Sequence, residues 1–118
     1  MPSMVPTEFS GAQPVDGYGP GFFRVGGTVH HGAVIVTGGG VQPWGGLGDR
    51  DPLLALAGRV DVLFLGLGAE VGFPPRDLTA ALDEMGVMAE PMTSPSAARS
   101  YNVALSEGRR VACALLPI

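Results

Sequence analysis

The stretch "ARSYNVALSEGRRVACALL" gathers Arg99, Tyr101, Asn102, Ser106, Glu107 and Arg109 and then runs into almost pure hydrocarbon. At helical pitch, Ala98, Tyr101 and Leu105 share one buried arc. Asn102 falls at the edge of that arc, beside the flank that carries Arg99 and Ser106. An amide in that position is at least half buried, and leaving it unpaired would cost ~1–3 kcal/mol. Two arrangements meet its need. Asn102 either bonds the backbone of a neighbouring loop and pins that loop to the helix, or it joins Arg99 and Ser106 around a pocket for a small anionic or carbonyl ligand.

A second candidate is "GLGAEVG", which follows the apolar run "VDVLFL". Its glycines, Gly66, Gly68 and Gly72, miss the G-x-G-x-x-G spacing of a dinucleotide site, and two prolines follow before any helix can begin. The simpler reading is a tight turn where backbone passes close to Trp44 or to the last helix. Even so, Gly66 and Gly68 stand at the carboxyl end of a strand, where ligands of open α/β sheets collect.

Other chemistries find little support. His30 and His31 are neighbours at a strand end, so their side chains point to opposite faces and cannot share one metal. The single cysteine, Cys113, sits in an apolar run as a small buried hydrophobe, and no paired Cys or His spacing marks a zinc site. A serine hydrolase would need a G-x-S-x-G elbow, which is missing. Glu107 beside Arg109 and Arg110 reads as a solvated ion pair of small value. No cofactor or metal is expected.

The elements that must position these residues follow from pattern. Residues up to about 18 carry several prolines and no periodicity, which sets a flexible arm at 1–14 before a single domain at 15–118. "FFRVGGTVH" predicts a hairpin turning at Gly26 and Gly27, and "GAVIVT" a further strand. "GGGVQPWGGLGD" is too rich in glycine for regular structure and places Trp44 on a flexible loop.

"DRDPLLALAG" predicts a short helix with Asp51 as N-cap, Pro52 at the first position and Leu53, Leu56 and Ala57 on one face. A strand over "VDVLFLG" leads to a helix whose Leu78, Ala81, Leu82 and Met85 recur at helical spacing before Gly86. "VMAEPM" reads as a strand that Pro91 assigns to a sheet edge or strand end. The last helix starts with Ser94 as N-cap and Pro95 at the first position, and stops at Gly108. "RRVACALLPI" is apolar on both faces and therefore central. The order predicts an α/β fold, a mixed sheet with helices on its faces, whose strands flanking the 75–85 helix run parallel.

Composition narrows the function further. The chain has 118 residues, enough to bury roughly two thirds of its unfolded surface in one core. Its net charge is −4, and its seven basic residues are all arginine, scattered along the chain apart from Arg109 and Arg110. No basic stripe exists to neutralise a row of phosphates, so nucleic acid is not an expected partner. Abundant Ala, Gly, Pro and Arg without lysine is the codon signature of a GC-rich bacterial genome. No run reaches the ~20 apolar residues that cross a bilayer, and the start lacks a basic region followed by an apolar one. A cytoplasmic location is the expectation.

The order of "VDGYGPGFFRVGG", the Trp44 loop, "VDVLFLGLG" and above all "AARSYNVALSEGRRVACALLP" resembles the Mth domain family, a domain of unknown function, over residues 15–117. The resemblance implies a three-layer fold around a mixed five-stranded sheet. Its signature carries onto Gly66, Gly68, Arg99, Tyr101, Asn102, Glu107, Gly108 and Arg109, with Ser100 where threonine is more usual. The family includes a mitochondrial complex I assembly factor of the NDUFAF type and an adipogenesis-associated protein.

Two functions follow. The first is a non-enzymatic interaction module that helps assemble a larger complex. Its partner would be a protein, in some cases a membrane-bound complex that holds the chain peripherally at the inner membrane, and self-association is compatible with it. This reading predicts an exposed apolar patch. The second is a small-molecule binder or enzyme whose pocket joins the 66–68 turn, Trp44, Arg99 and Asn102. The first is preferred, because no nucleophile and base can be paired.

Overall fold

The computed structural model describes residues 13–118. Most of the arm expected at 1–14 therefore lies outside the described residues. Two sheets organise the described residues. The smaller one is antiparallel, with strands β1 (Val15–Gly19), β2 (Phe22–Val25) and β3 (Thr28–His31) in sequential order. Gly26 and Gly27 sit at φ +55° and +86°, the left-handed pair that the hairpin between β2 and β3 requires. β1 includes residues 15–18, which lack any pattern. Pairing with β2 and a bulge between Val15 and Gly17 order them, and neither is written as periodicity.

The larger sheet has five strands, β4 (Val34–Thr37), β5 (Gly40–Pro43), β6 (Val62–Gly66), β7 (Met88–Met92) and β8 (Val111–Leu115), in the order β5-β4-β8-β6-β7. β6 runs parallel to β7 and to β8, while β4 is antiparallel to β8 and to β5. The sheet is thus mixed. As its sequence predicts, β8 is central and buried along its whole length, and β7 with Pro91 forms an edge.

Helix α3 (Ser94–Ser106) covers one face of this sheet, while α1 (Asp51–Leu54) and α2 (Arg76–Glu84) cover the other. The alternation within β8 divides the core. Val111, Cys113 and Leu115 pack with Phe23, Tyr101 and Leu105, whereas Ala112 and Ala114 pack with Leu53, Leu78 and Leu82. Burial on both faces removes apolar surface at ~25 cal/mol per Å2, so this strand anchors both layers.

Several local expectations change. The glycine-rich segment supplies β5, because β4 offers it a free edge and a two-residue turn joins Thr37 to its partner Gly40. Trp44 is buried at 5% exposure among Ile35, Leu53 and Leu56. Its indole N–H donates to the Asp49 carbonyl at 2.9 Å, and the amide of Gly45 donates to the Asp49 carboxylate at 3.0 Å. The loop is therefore closed on itself by polar contacts. Asp51 is the first helical residue rather than the N-cap of α1, and Arg50 takes the cap position without a side-chain bond. Met85 lies beyond the last turn of α2 and is exposed, since the helix ends before its face is completed.

Candidate functional site

Asn102 takes the first of its two arrangements. Its side-chain oxygen accepts from the Val15 amide at 2.9 Å, and its side-chain nitrogen donates to the Val15 carbonyl at 2.8 Å. Both polar ends of the amide are consumed in docking β1 onto α3. Ser106, on the neighbouring flank, donates to the Val103 carbonyl of its own helix at 2.7 Å. Both side chains thus make their bonds within the fold.

Gly66 and Gly68 are fixed by a residue whose role the sequence conceals. Ser94 is fully buried, and its hydroxyl accepts from the Gly68 amide at 2.9 Å while donating to the Leu116 carbonyl at 2.6 Å. The Ser94 amide in turn donates to the Gly68 carbonyl at 2.8 Å. One serine thus ties together the exit of β6, the exit of β8 and the start of α3. A Cβ on Gly66 would lie 2.7 Å from the Ser94 Cα, which explains why only glycine fits there. The N-cap of α3 is Thr93, which accepts from the Ser96 amide at 3.3 Å, rather than Ser94. The signal that could have revealed this is a Thr directly before Ser-Pro-Ser, three residues ahead of the amide it caps.

The pocket expected to join Trp44, the 66–68 turn, Arg99 and Asn102 does not form. Trp44 packs under α1, on the sheet face opposite α3. Arg99 is exposed between two shallow depressions. One, of about 220 Å3, lies against β1 and Asn102, and the other, of about 320 Å3, is floored by Phe64 and bordered by Val103, Glu107 and Arg109. Family-signature residues Arg99, Glu107 and Arg109 do share this second depression. Arg110 pairs with Asp61 at 2.8 Å rather than with Glu107, because the turn after Gly108 carries it toward the start of β6.

Tyr101 lies deep in the core, and its hydroxyl has no hydrogen-bond partner among the described residues. Burial pushes the Tyr101 hydroxyl and the Cys113 thiol well above their ordinary values, and each stays protonated. Among the described residues, no three His, Cys, Asp or Glu side chains converge to hold a metal ion.

Among the described residues, the most exposed apolar side chains stand elsewhere. The loop between β6 and α2 presents Val71 at 72% and Phe73 at 96% exposure. Phe73 and Pro74 line a depression of about 590 Å3 with Arg76, Thr79, Ala89 and Pro91, beside the edge strand β7. The "GFPPR" segment was legible as a helix entry but not as a displayed aromatic, since exposure depends on what fails to cover it.

A mixed five-stranded sheet, an appended three-stranded sheet and a signature helix pinned by Asn102 and Ser94 define an α/β domain of the Mth938-like fold. The chain belongs to the family described as a protein of unknown function (DUF498/DUF598), whose model matches residues 15–116. An uncharacterized protein of Rhodobacter capsulatus is 54% identical over 117 residues, covering 98% of this chain and 94% of the relative. A crystal structure from Bartonella henselae, described as an outer membrane protein, is 31% identical, covers 91% of this chain and 96% of that one, and has a TM-score of 0.82. A solution structure from Bordetella pertussis, described as a Mth938-like domain, is 26% identical, covers 99% and 91%, and has a TM-score of 0.78. No helix among the described residues is long and apolar enough to cross a membrane.

Proposed function

We propose that this domain is a non-enzymatic docking module that helps assemble a larger protein complex, as the family resemblance to a respiratory complex I assembly factor implies. The observation that carries the reading is Phe73, 96% exposed beside Pro74, Ala89 and Pro91. A phenylalanine held in water forgoes ~1.5–3 kcal/mol that burial would supply, a cost that a partner surface recovers on binding.

The edge strand shapes the mode of docking. Met88 donates to the Asp61 carbonyl and Met92 accepts from the Leu67 amide, so alternate residues of β7 face β6, and Ala89 and Pro91 face outward. Pro91 has no N–H to offer a further strand, which blunts sheet extension. A partner therefore engages side chains around Phe73 rather than adding a strand. If that partner is membrane-bound, the domain sits peripherally at the inner membrane through it.

The test places a photo-crosslinking amino acid at position 73 in the native host and follows complex I assembly in a deletion strain. The reading expects a crosslink to a complex I subunit or its assembly intermediate, with assembly restored by the wild-type chain and not by Phe73→Asp. Normal complex I levels in the deletion strain would remove the assembly role. Full rescue by Phe73→Asp would remove the docking surface.

A further inference from the structure

Arginines from two distant parts of the chain meet at the opposite end of the sheet. Arg59 leaves the turn after α1, and Arg109 and Arg110 leave the turn after α3. Together with Thr37, Gly38 and Gly39 of the β4–β5 turn they line a depression of about 240 Å3. Its apolar floor is formed by Val60, Leu105 and Val111. Among the described residues, no carboxylate lines it. Asp61 is held on Arg110 at 2.8 and 3.3 Å, and Glu107 borders the neighbouring depression that Arg109 also lines. Among the described residues, the side chains of Arg59 and Arg109 make no ion pair or hydrogen bond.

We propose that this depression binds the phosphate group of a phosphorylated small molecule or lipid headgroup, with Arg59 and Arg109 as the anion clamp. Planar guanidinium groups match the oxygens of a phosphate in paired, charge-assisted hydrogen bonds, a geometry that lysine cannot reproduce. The turn faces Arg59 closely, since a Cβ at Gly39 would lie 4.0 Å from Arg59 Nη2. Bare glycine backbone at this place lets a ligand approach without side-chain obstruction. Thr37 Oγ1 accepts from the Gly39 amide at 3.1 Å, which leaves its own hydroxyl proton to donate.

The chain as a whole carries a charge of −4, so this local excess of positive charge runs against the average field. A second depression of about 300 Å3 shares Thr37, Gly39 and Arg59 with the first and continues past Gln42 and Pro52. A phosphate seated on the arginines has room there for the organic part of its molecule. Binding here is independent of docking at Phe73, which lies on a different part of the surface.

Titration of the 15N-labelled chain with inorganic phosphate, pyrophosphate and glycerol 3-phosphate tests the site, alongside sedimentation with phosphatidylcholine vesicles with and without phosphatidylglycerol. The expected result is a saturable shift of the Gly38, Gly39 and Val60 amides. Arg59→Gln and Arg109→Gln should each weaken binding about tenfold, the loss of one charge-assisted contact. Arg24→Gln, remote from the site, should bind as the wild type does.

Shifts with the soluble phosphates assign a metabolite. Sedimentation that needs phosphatidylglycerol, without those shifts, and that is lost in Arg59→Gln, assigns a lipid headgroup. Unsaturable or scattered shifts with no dependence on phosphatidylglycerol would overturn the site, as would equal weakening by Arg24→Gln.

Discussion

Asn102 satisfies both backbone polar groups of Val15, accepting from the amide at 2.9 Å and donating to the carbonyl at 2.8 Å. One side chain thereby closes the N-terminal strand onto the C-terminal helix, joining the two ends of the domain. Asn102→Ala should lower unfolding free energy by ~1–3 kcal/mol, since it orphans two backbone groups in a half-buried place. Denaturant melts read the loss, and hydrogen exchange should show the Val15 amide losing protection first. Unchanged exchange at Val15 would show that β2 alone holds β1.

Ser94 is a second such tie. Ser94→Ala removes its bonds to the Gly68 amide and the Leu116 carbonyl and should cost ~1–3 kcal/mol. Gly66→Ala should destabilise by a comparable ~1–3 kcal/mol through overpacking against the backbone of Ser94. Thermal melts of both variants check this, and a stable Gly66→Ala would mean that α3 can shift away from β6.

Tyr101 offers the reverse case. Its hydroxyl is buried without a partner among the described residues, so Tyr101→Phe deletes a polar group and little else. Stability should hold or rise by ~1 kcal/mol. A marked loss would reveal a hydrogen bond made by a buried water or by a residue outside 13–118.

The alkaline limb of stability follows from Cys113 and Tyr101. Burial raises the thiol above its ordinary 9.0 and the hydroxyl above its ordinary 10.0, with a smaller coulombic contribution to the hydroxyl from Cys113. Groups whose folded values are raised contribute fully below the unfolded value and lose that contribution as pH rises toward the folded one. The denaturation midpoint should thus fall as pH climbs past about 9. Cys113→Ala should flatten the first part of that fall. In the native state the thiol should resist thiol reagents until unfolding exposes it.

Trp44 gives a direct check on the closed loop. Its emission should be blue-shifted in the native state and move to the red on unfolding, because it is the chain's single tryptophan and it is buried. A red-shifted native spectrum would return it to the mobile loop that its glycine-rich neighbours imply.

The chain's local grammar determined much of the architecture. Apolar runs over 62–66 and 111–115 marked buried strands, Gly26 and Gly27 marked a hairpin, and Pro91 marked a sheet edge, each through forces acting within a few residues. The half-buried setting of Asn102 was also legible, because helical spacing alone puts it beside Ala98 and Tyr101. Tertiary structure decided the rest. Only the sheet order could hand β5 a partner, bury Trp44 away from Arg99, bring Val15 to Asn102, and draw Arg59 to Arg109. Such pairings depend on which surfaces remain unfilled once the strands have paired, and a single sequence carries no record of that.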